Sequence, residues 1–296
     1  MRPYALAVGY AYALVVLATG LSRAGVETIA VLCITASAAA VAGLVATLVT
    51  RLRAPLWYAA LVVTAVPFLV GVGSVLVARS GWTALSTGLI FLLALTLLLT
   101  RRAGLTIVVR TLAAGVLVPA LAVVVVCLGA QLLTTSGSPV TLPIIAVLVA
   151  GALTASALIE DGLQQRGPTK REAGAARIAI EASSLLTGAI AVLLALVRSA
   201  AGLPTTLVVL LVIGAGAASA AVFAKRRYGW WAAGLCGSGA LWCALRVAGV
   251  QVVEPYVLPP ALGLAVVGAV LSIRGVSTPG IPARSARARS ARARGP

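Results

Sequence analysis

The sequence predicts an all-α fold, a polytopic transmembrane helical bundle of about ten spans. Three observations predict it. Of 296 residues, 61% are apolar and only 10% charged, whereas a soluble domain carries roughly a quarter charged residues to keep its surface wet. Mean hydropathy is +1.11. Apolar runs near twenty residues recur from end to end, the length that crosses the roughly 30 Å hydrocarbon core of a bilayer as helix.

The spans follow in order. Span 1, 4–22, stops at Arg23 in RAGVE, and span 2, 28–50, stops at RLRAP. Span 3, 56–78, contains Pro67, and after RSG span 4, 82–100, opens in GWTALSTGL. Arg101 and Arg102 begin the longer connection RRAGLTIVVR, which leads into span 5, 111–133, with Pro119 inside it. TTSGSP precedes span 6, 140–159. EDGLQQRGPTKREAGAAR, read as a loop over 160–177, leads to span 7, 178–197. RSAAGL separates it from span 8, 204–224, KRRY from span 9, 229–250, and QVVE from span 10, 255–273. Pro67 and Pro119 are expected to kink their helices, as proline does where it removes a backbone donor. The transmembrane domain is thus 1–274. The tail 275–296 repeats RSARA at 284–288 and 289–293 and buries too little apolar surface to order itself, so it is expected to be disordered. A cleavable signal peptide is disfavoured for residues 1–22, because the basic leader is only Met1-Arg2 and no clean A-x-A site follows.

Charge sets the expected orientation. Basic residues near span ends resist translocation. The side opposite the N-terminus holds Arg23, Arg79 and Arg198, Arg246 falls within span 9, and the other 19 of the 23 basic residues lie on the N-terminal side. Both termini are therefore expected in the cytoplasm of a plasma-membrane protein. The net charge of +17 reads as membrane topology rather than nucleic-acid binding, since the charges sit between apolar runs. The arginine-rich tail is expected to contact anionic lipid, at roughly 1 kcal/mol per basic residue near the surface.

Ten spans divide into five plus five, which would place two halves antiparallel in the membrane as an inverted repeat. GWTALSTGL at Gly81 pairs with GWWAAGLCG at Gly229, and VLVPAL at 116–121 with VLPPAL at 257–262. Coincidence in an Ala-, Leu-, Val- and Gly-rich chain is the competing explanation. If the repeat holds, Pro119 and Pro260 mark equivalent breaks where a freed carbonyl faces a cavity.

Few positions carry chemistry. The chain has no His, which excludes Ser-His-Asp and Cys-His arrangements and histidine ligation of zinc or haem. Asp161 is the single Asp, and Glu160 beside it is the one adjacent acid pair, read as not converging on a single atom. No nucleotide-cradling G-x-x-x-x-G-K-[ST] occurs. No enzyme activity, metal or cofactor is expected. Cys33, Cys127, Cys236 and Cys243 all fall inside spans, as packing residues would.

Ionisable groups inside a membrane are functional candidates by default. Glu181 follows Arg177 by four residues, which puts both on one helical face at pairing distance. Arg246 lies near the end of span 9, Glu254 across the QVVE turn, and Trp242 is four residues before Arg246, so its ring could lie against the guanidinium. All sit near span ends, which favours ion pairs clamping helical hairpins over a proton or ion relay. Deeper hydroxyls, among them Ser86, Thr87, Thr154, Ser156, Ser183, Ser184, Thr187 and Ser219, are expected to bond a carbonyl one turn back or a neighbouring helix. No two glycines lie four apart, so other small residues must allow close helix approach.

The segment RRYGWWAAGLCGSGALWCALRVAGVQVVEPYVLPPALGLAVVGAV carries a Trp-containing span followed by Val253, Glu254, Tyr256, Leu258 and Pro259. It resembles the C-terminal part of a group of uncharacterised actinobacterial multi-pass integral membrane proteins with a Trp-span and an E-x-Y-x-L-P segment. The resemblance covers about a sixth of the chain and implies no activity or ligand. Physically the segment suits a span start, with Pro255 at a first helical position and Tyr256 at the interface. The expected activity is carriage of a small solute; the alternative is a non-enzymatic membrane scaffold or cell-envelope assembly component.

Overall fold

In hydrocarbon a backbone must satisfy its own polar groups, so a chain this rich in Ala, Leu and Val folds as helix wherever lipid surrounds it. The computed structural model describes residues 2–49, 54–77, 81–100, 102, 104–132, 140–197, 202–252, 255–257 and 261. Its elements are α1 (Arg2–Arg23), α2 (Thr28–Leu48), α3 (Ala54–Val77), α4 (Gly81–Leu99), α5 (Ile107–Leu132), α6 (Thr141–Gln165), α7 (Lys170–Val197), α8 (Gly202–Phe223) and α9 (Arg227–Val247). Among the described residues there is no strand. Seven helices, α1, α2 and α4 to α8, are long and apolar enough to cross a membrane. They fit an integral membrane protein.

Helices α1 to α9 coincide with the first nine expected spans to within a few residues, except at one hairpin. The segment 160–177, read from sequence as a loop, is helical save for its turn: α6 continues to Gln165 and α7 begins at Lys170. Arg110, assigned to a connection, is likewise inside α5 and only 5% exposed. Part of the charge that suggested water is paired instead, Arg110 with Glu172 and Arg177 with Glu160, while Asp161, Arg166, Lys170 and Arg171 are exposed. The tenth span, the tail, Glu254 and Pro260 lie outside the described residues, apart from residues 255–257 and 261 of the span.

Residues Met1–Val247 form one compact unit and Ala248–Pro296 a second. Within the first, the packing has a period of four helices. Helix α2 packs on α3 and α4, α1 on α2 and α3, and α4 joins α5. The same relations recur four helices later: α6 packs on α7 and α8, α5 on α6 and α7, and α8 joins α9. Helix α3 also touches α4, as α7 touches α8. Four helices run an even number of times up and down, so this period relates the two blocks in a parallel sense. The five-plus-five comparison rests on pairing VLVPAL of α5 with VLPPAL of the tenth span, which lies outside the described residues apart from 255–257 and 261.

The core is built from small and branched side chains, with Ala146, Val149 and Leu153 of α6, Ile180 and Ala191 of α7, and Val209, Ile213 and Ala220 of α8 all buried. Small residues set the approach distances, as lipid provides no hydrophobic drive between helices. A Cβ on Gly216 would lie 2.5 Å from the Cα of Ala150, and one on Gly229 would lie 2.5 Å from the carbonyl oxygen of Ala217. Thus α6·α8 and α8·α9 meet backbone to backbone without a GxxxG pair. Most of the hydroxyls behave as their depth predicts: Thr87 donates to the Thr83 carbonyl at 2.7 Å, Thr187 to that of Ser183 at 2.7 Å and Ser219 to that of Gly216 at 2.7 Å, whereas the expectation fails at fully buried Ser184, whose Oγ has no partner among the described residues.

In the second unit, Pro255 to Val257 are helical and the Tyr256 hydroxyl donates to the Val250 carbonyl at 2.7 Å.

Candidate functional site

The polar groups of the first unit gather at one end, where α2, α4, α6 and α8 finish and α5, α7 and α9 begin. The α6–α7 hairpin organises it. Arg166 ends α6, and Gly167 follows at φ +105°, a left-handed conformation that glycine adopts without a Cβ clash. Pro168 then starts the turn out. Thr169 caps α7 reciprocally: its Oγ1 accepts the Glu172 N–H at 3.3 Å, while Glu172 Oε2 accepts the Thr169 N–H at 3.1 Å. This is a T-x-x-E capping box, readable as TKRE in the sequence, and it starts α7 eight residues before the expected span.

That early start brings Glu160 opposite Arg177. Arg177 Nη1 donates to Glu160 Oε2 at 2.6 Å, its Nε to Glu181 Oε1 at 2.7 Å, and its Nη2 to the Ala224 carbonyl at the end of α8 at 3.1 Å. The i,i+4 pair of Arg177 and Glu181 is therefore closed, and it is the centre of something larger. Glu181, 4% exposed, also accepts from Ser156 Oγ at 3.0 Å and from Arg226 Nε at 3.1 Å. Two carboxylates and two guanidinium groups tie α6, α7 and the α8–α9 turn into one knot. Asp161, beside Glu160, is exposed, since neighbouring helical positions are about 100° apart.

A second pair extends the knot sideways. Arg110 Nη1 donates to Glu172 Oε2 at 2.8 Å and its Nη2 to the Thr100 carbonyl at 3.2 Å, joining α5 to α7 and to the end of α4. A third cluster closes the first four helices. Arg102 Nη1 donates to the carbonyls of Thr47 at 3.1 Å and Val49 at 3.0 Å and also to that of Ala46. These are orphan acceptors at the C-terminal end of α2, where the helix dipole favours a cation. The guanidinium carbon lies 4.9 Å from the centroid of fully buried Trp57, whose Nε1 donates to Thr47 Oγ1 at 3.1 Å. Thr47, Trp57 and Arg102 thus join α2, α3 and the α4–α5 connection, as Glu160, Arg177 and Arg226 join α6, α7 and the α8–α9 turn.

Arg246 is in the last turn of α9 and exposed, and Trp242 is 46% exposed on the same helix. Glu254 lies outside the described residues, and Tyr256 belongs to the second unit. Sequence reading weighed Glu160 only beside Asp161 and assigned no partner to Arg110, Glu172 and Arg226, because each was placed in a loop. The capping box was the available signal for Glu160 and Glu172.

The arrangement cross-links α6, α7 and the α8–α9 turn. Each donor of Arg177 has an acceptor, and Glu181 is held by three donors. No cluster of three His, Cys, Asp or Glu able to hold a metal occurs among the described residues. No protein-family model, curated protein or solved structure matches the chain.

Proposed function

We propose that this chain is a non-enzymatic integral membrane protein of the plasma membrane, a scaffold or envelope-assembly component. On this reading it has ten spans, with the knotted end and both termini facing the cytoplasm. One observation carries the scaffold reading: the buried charges of the first unit are spent on one another at one end, and the middle of the bundle is filled with Ala, Val, Leu and Ile. Three apolar grooves open sideways, where exposed Val62, Leu85 and Val15 face the lipid level, rather than along the bundle axis. Lateral surfaces suit binding of lipids or other helices. The basic residues of the knotted end fit the cytoplasmic side by the positive-inside rule.

Carriage of a small solute is the second reading. It is favoured by Glu181, a buried carboxylate shared between two arginines, which in a carrier would open and close the cytoplasmic end. Two measurements separate the readings. Uptake of a solute panel is compared between a deletion strain and its complement; uptake restored by the complement overturns the scaffold reading. A cysteine introduced at Val149 or Ile213, in a background without the native cysteines, stays unlabelled by a membrane-impermeant maleimide if the middle is packed, and labels if a water path reaches it.

A further inference from the structure

Two cavities adjoin at the knotted end. The first, about 250 Å³, is a polar basin lined by Arg102, Gly104, Arg110, Arg166, Gly167 and Glu172. Glu172 is its one acid, and that carboxylate is already held by Arg110 Nη1 at 2.8 Å and the Thr169 N–H at 3.1 Å. The lining therefore sets three arginines against one carboxylate, and Arg166 is exposed. Arg110 Nε–H, enclosed in a side chain 5% exposed, has no acceptor among the described residues. Two turn glycines, Gly104 and Gly167, leave the walls low.

The second cavity, about 400 Å³, is an apolar groove between α3, α4 and α5, with Leu61, Leu97, Val109, Leu112 and Val116 on its walls. The two meet. Val109 and Arg110 are consecutive in α5, and Tyr58, whose ring lines the groove, donates its hydroxyl proton to the Gly104 carbonyl at the edge of the basin. From Val109 to Val116 the groove runs about 10 Å along the helix, within the roughly 15 Å of hydrocarbon in one leaflet.

We propose that this composite cleft binds one anionic phospholipid, its phosphate in the arginine basin and an acyl chain in the groove between α3 and α5. Charge complementarity selects the headgroup, because arginine forks match phosphate oxygens and a choline group would bring like charge to Arg102 and Arg166. The apolar groove selects a lipid over a soluble anion, and one leaflet's depth fits a chain entering from the side of the headgroup. None of its residues belongs to the arginine-rich tail, and it stands whether the protein is a scaffold or a carrier.

The test uses the full chain purified in detergent and equilibrated with an equimolar mixture of phosphatidylglycerol and phosphatidylcholine. Lipid retained after washing is counted by native mass spectrometry. Wild type should retain phosphatidylglycerol selectively. Arg166→Gln should lower that preference about fivefold, the factor for one arginine's contribution near an anionic surface. Leu112→Trp, which fills the groove from a position 65% exposed, should reduce retention of both lipids. Arg246→Gln, an exposed arginine elsewhere, should change neither. Both replaced residues are exposed, so loss of fold does not confound them. Retention unaffected by Arg166→Gln and Leu112→Trp would overturn the site and leave bulk attraction to the tail. Displacement of the lipid by glycerol 3-phosphate at equal concentration would overturn it in favour of a soluble-anion site. A dimer mass lost on Leu112→Trp would assign the groove to a second copy instead.

Discussion

Replacing Glu160 and Glu181 by Gln, singly and together, asks whether Arg177 is held by two partners that substitute for one another. Arg177 donates to Glu160 at 2.6 Å and to Glu181 at 2.7 Å, and its side chain is 12% exposed. Either single replacement leaves the other carboxylate in place, so each should cost about one hydrogen bond to a charged group, ~1.5–3 kcal/mol. Glu160→Gln should fall at the lower edge, because its side chain is 21% exposed and water screens it. The double replacement leaves the guanidinium without a carboxylate, held only by neutral amide oxygens and the Ala224 carbonyl. Removing the last partner of a buried charge costs about 3–5 kcal/mol, so the double loss should exceed the sum of the singles by about 1–2 kcal/mol, the range for coupled neighbours. The assay is unfolding of the detergent-solubilised chain by titrated dodecyl sulfate, followed by circular dichroism. Additive losses, or singles below about 0.5 kcal/mol as for exposed pairs, would refute the reasoning.

Four further outcomes are expected. Gly229→Ala should lower detergent stability by about 1–3 kcal/mol, as overpacking does, because its Cβ would meet the Ala217 carbonyl, whereas Gly234→Ala, with nothing within 4 Å, should be neutral or slightly stabilising; thermal unfolding of the two variants compares them. Thr169→Ala removes one half of the capping box and should cost about 1 kcal/mol, read in the same assay, with Thr169→Ser restoring most of it. Thr47→Val leaves the buried Trp57 Nε1–H without its acceptor and should cost ~1–3 kcal/mol, while Trp57→Phe in the same background should recover part of that loss. Reporter fusions after residues 136 and 296 should give opposite signals, external and cytoplasmic, and a cytoplasmic signal at 136 would refute the ten-span arrangement.

The helices themselves were legible because a membrane leaves the chain little choice: span 2 was expected over 28–50 and α2 occupies Thr28–Leu48. The Arg177–Glu181 pair was legible for the same kind of reason, since helical period alone puts residues four apart on one face. Glu160 was not, because its partner is 17 residues away around a turn, and only the Gly167 and Thr169 geometry brings the two helices into register. Reading 160–177 as a loop rested on its charge, although the capping box and the Gly-Pro turn inside it already argued for two helices meeting. Arg226 reaches Glu181 across 45 positions, a distance no local pattern encodes. Arg246 and Trp242 show the converse, being prominent in sequence and yet exposed on α9, away from the knot.

The four-helix period has a consequence for how such a chain can grow. A block of four crossings enters and leaves from the same side, so copying it in tandem keeps every later basic loop where it was. A block of five would reverse everything downstream and require the arginines to be redistributed before the longer chain could insert. Duplication of the smaller block therefore needs no prior change in charge. At the common end the two blocks are held differently, one by Trp57, Thr47 and Arg102, the other by carboxylates and arginines.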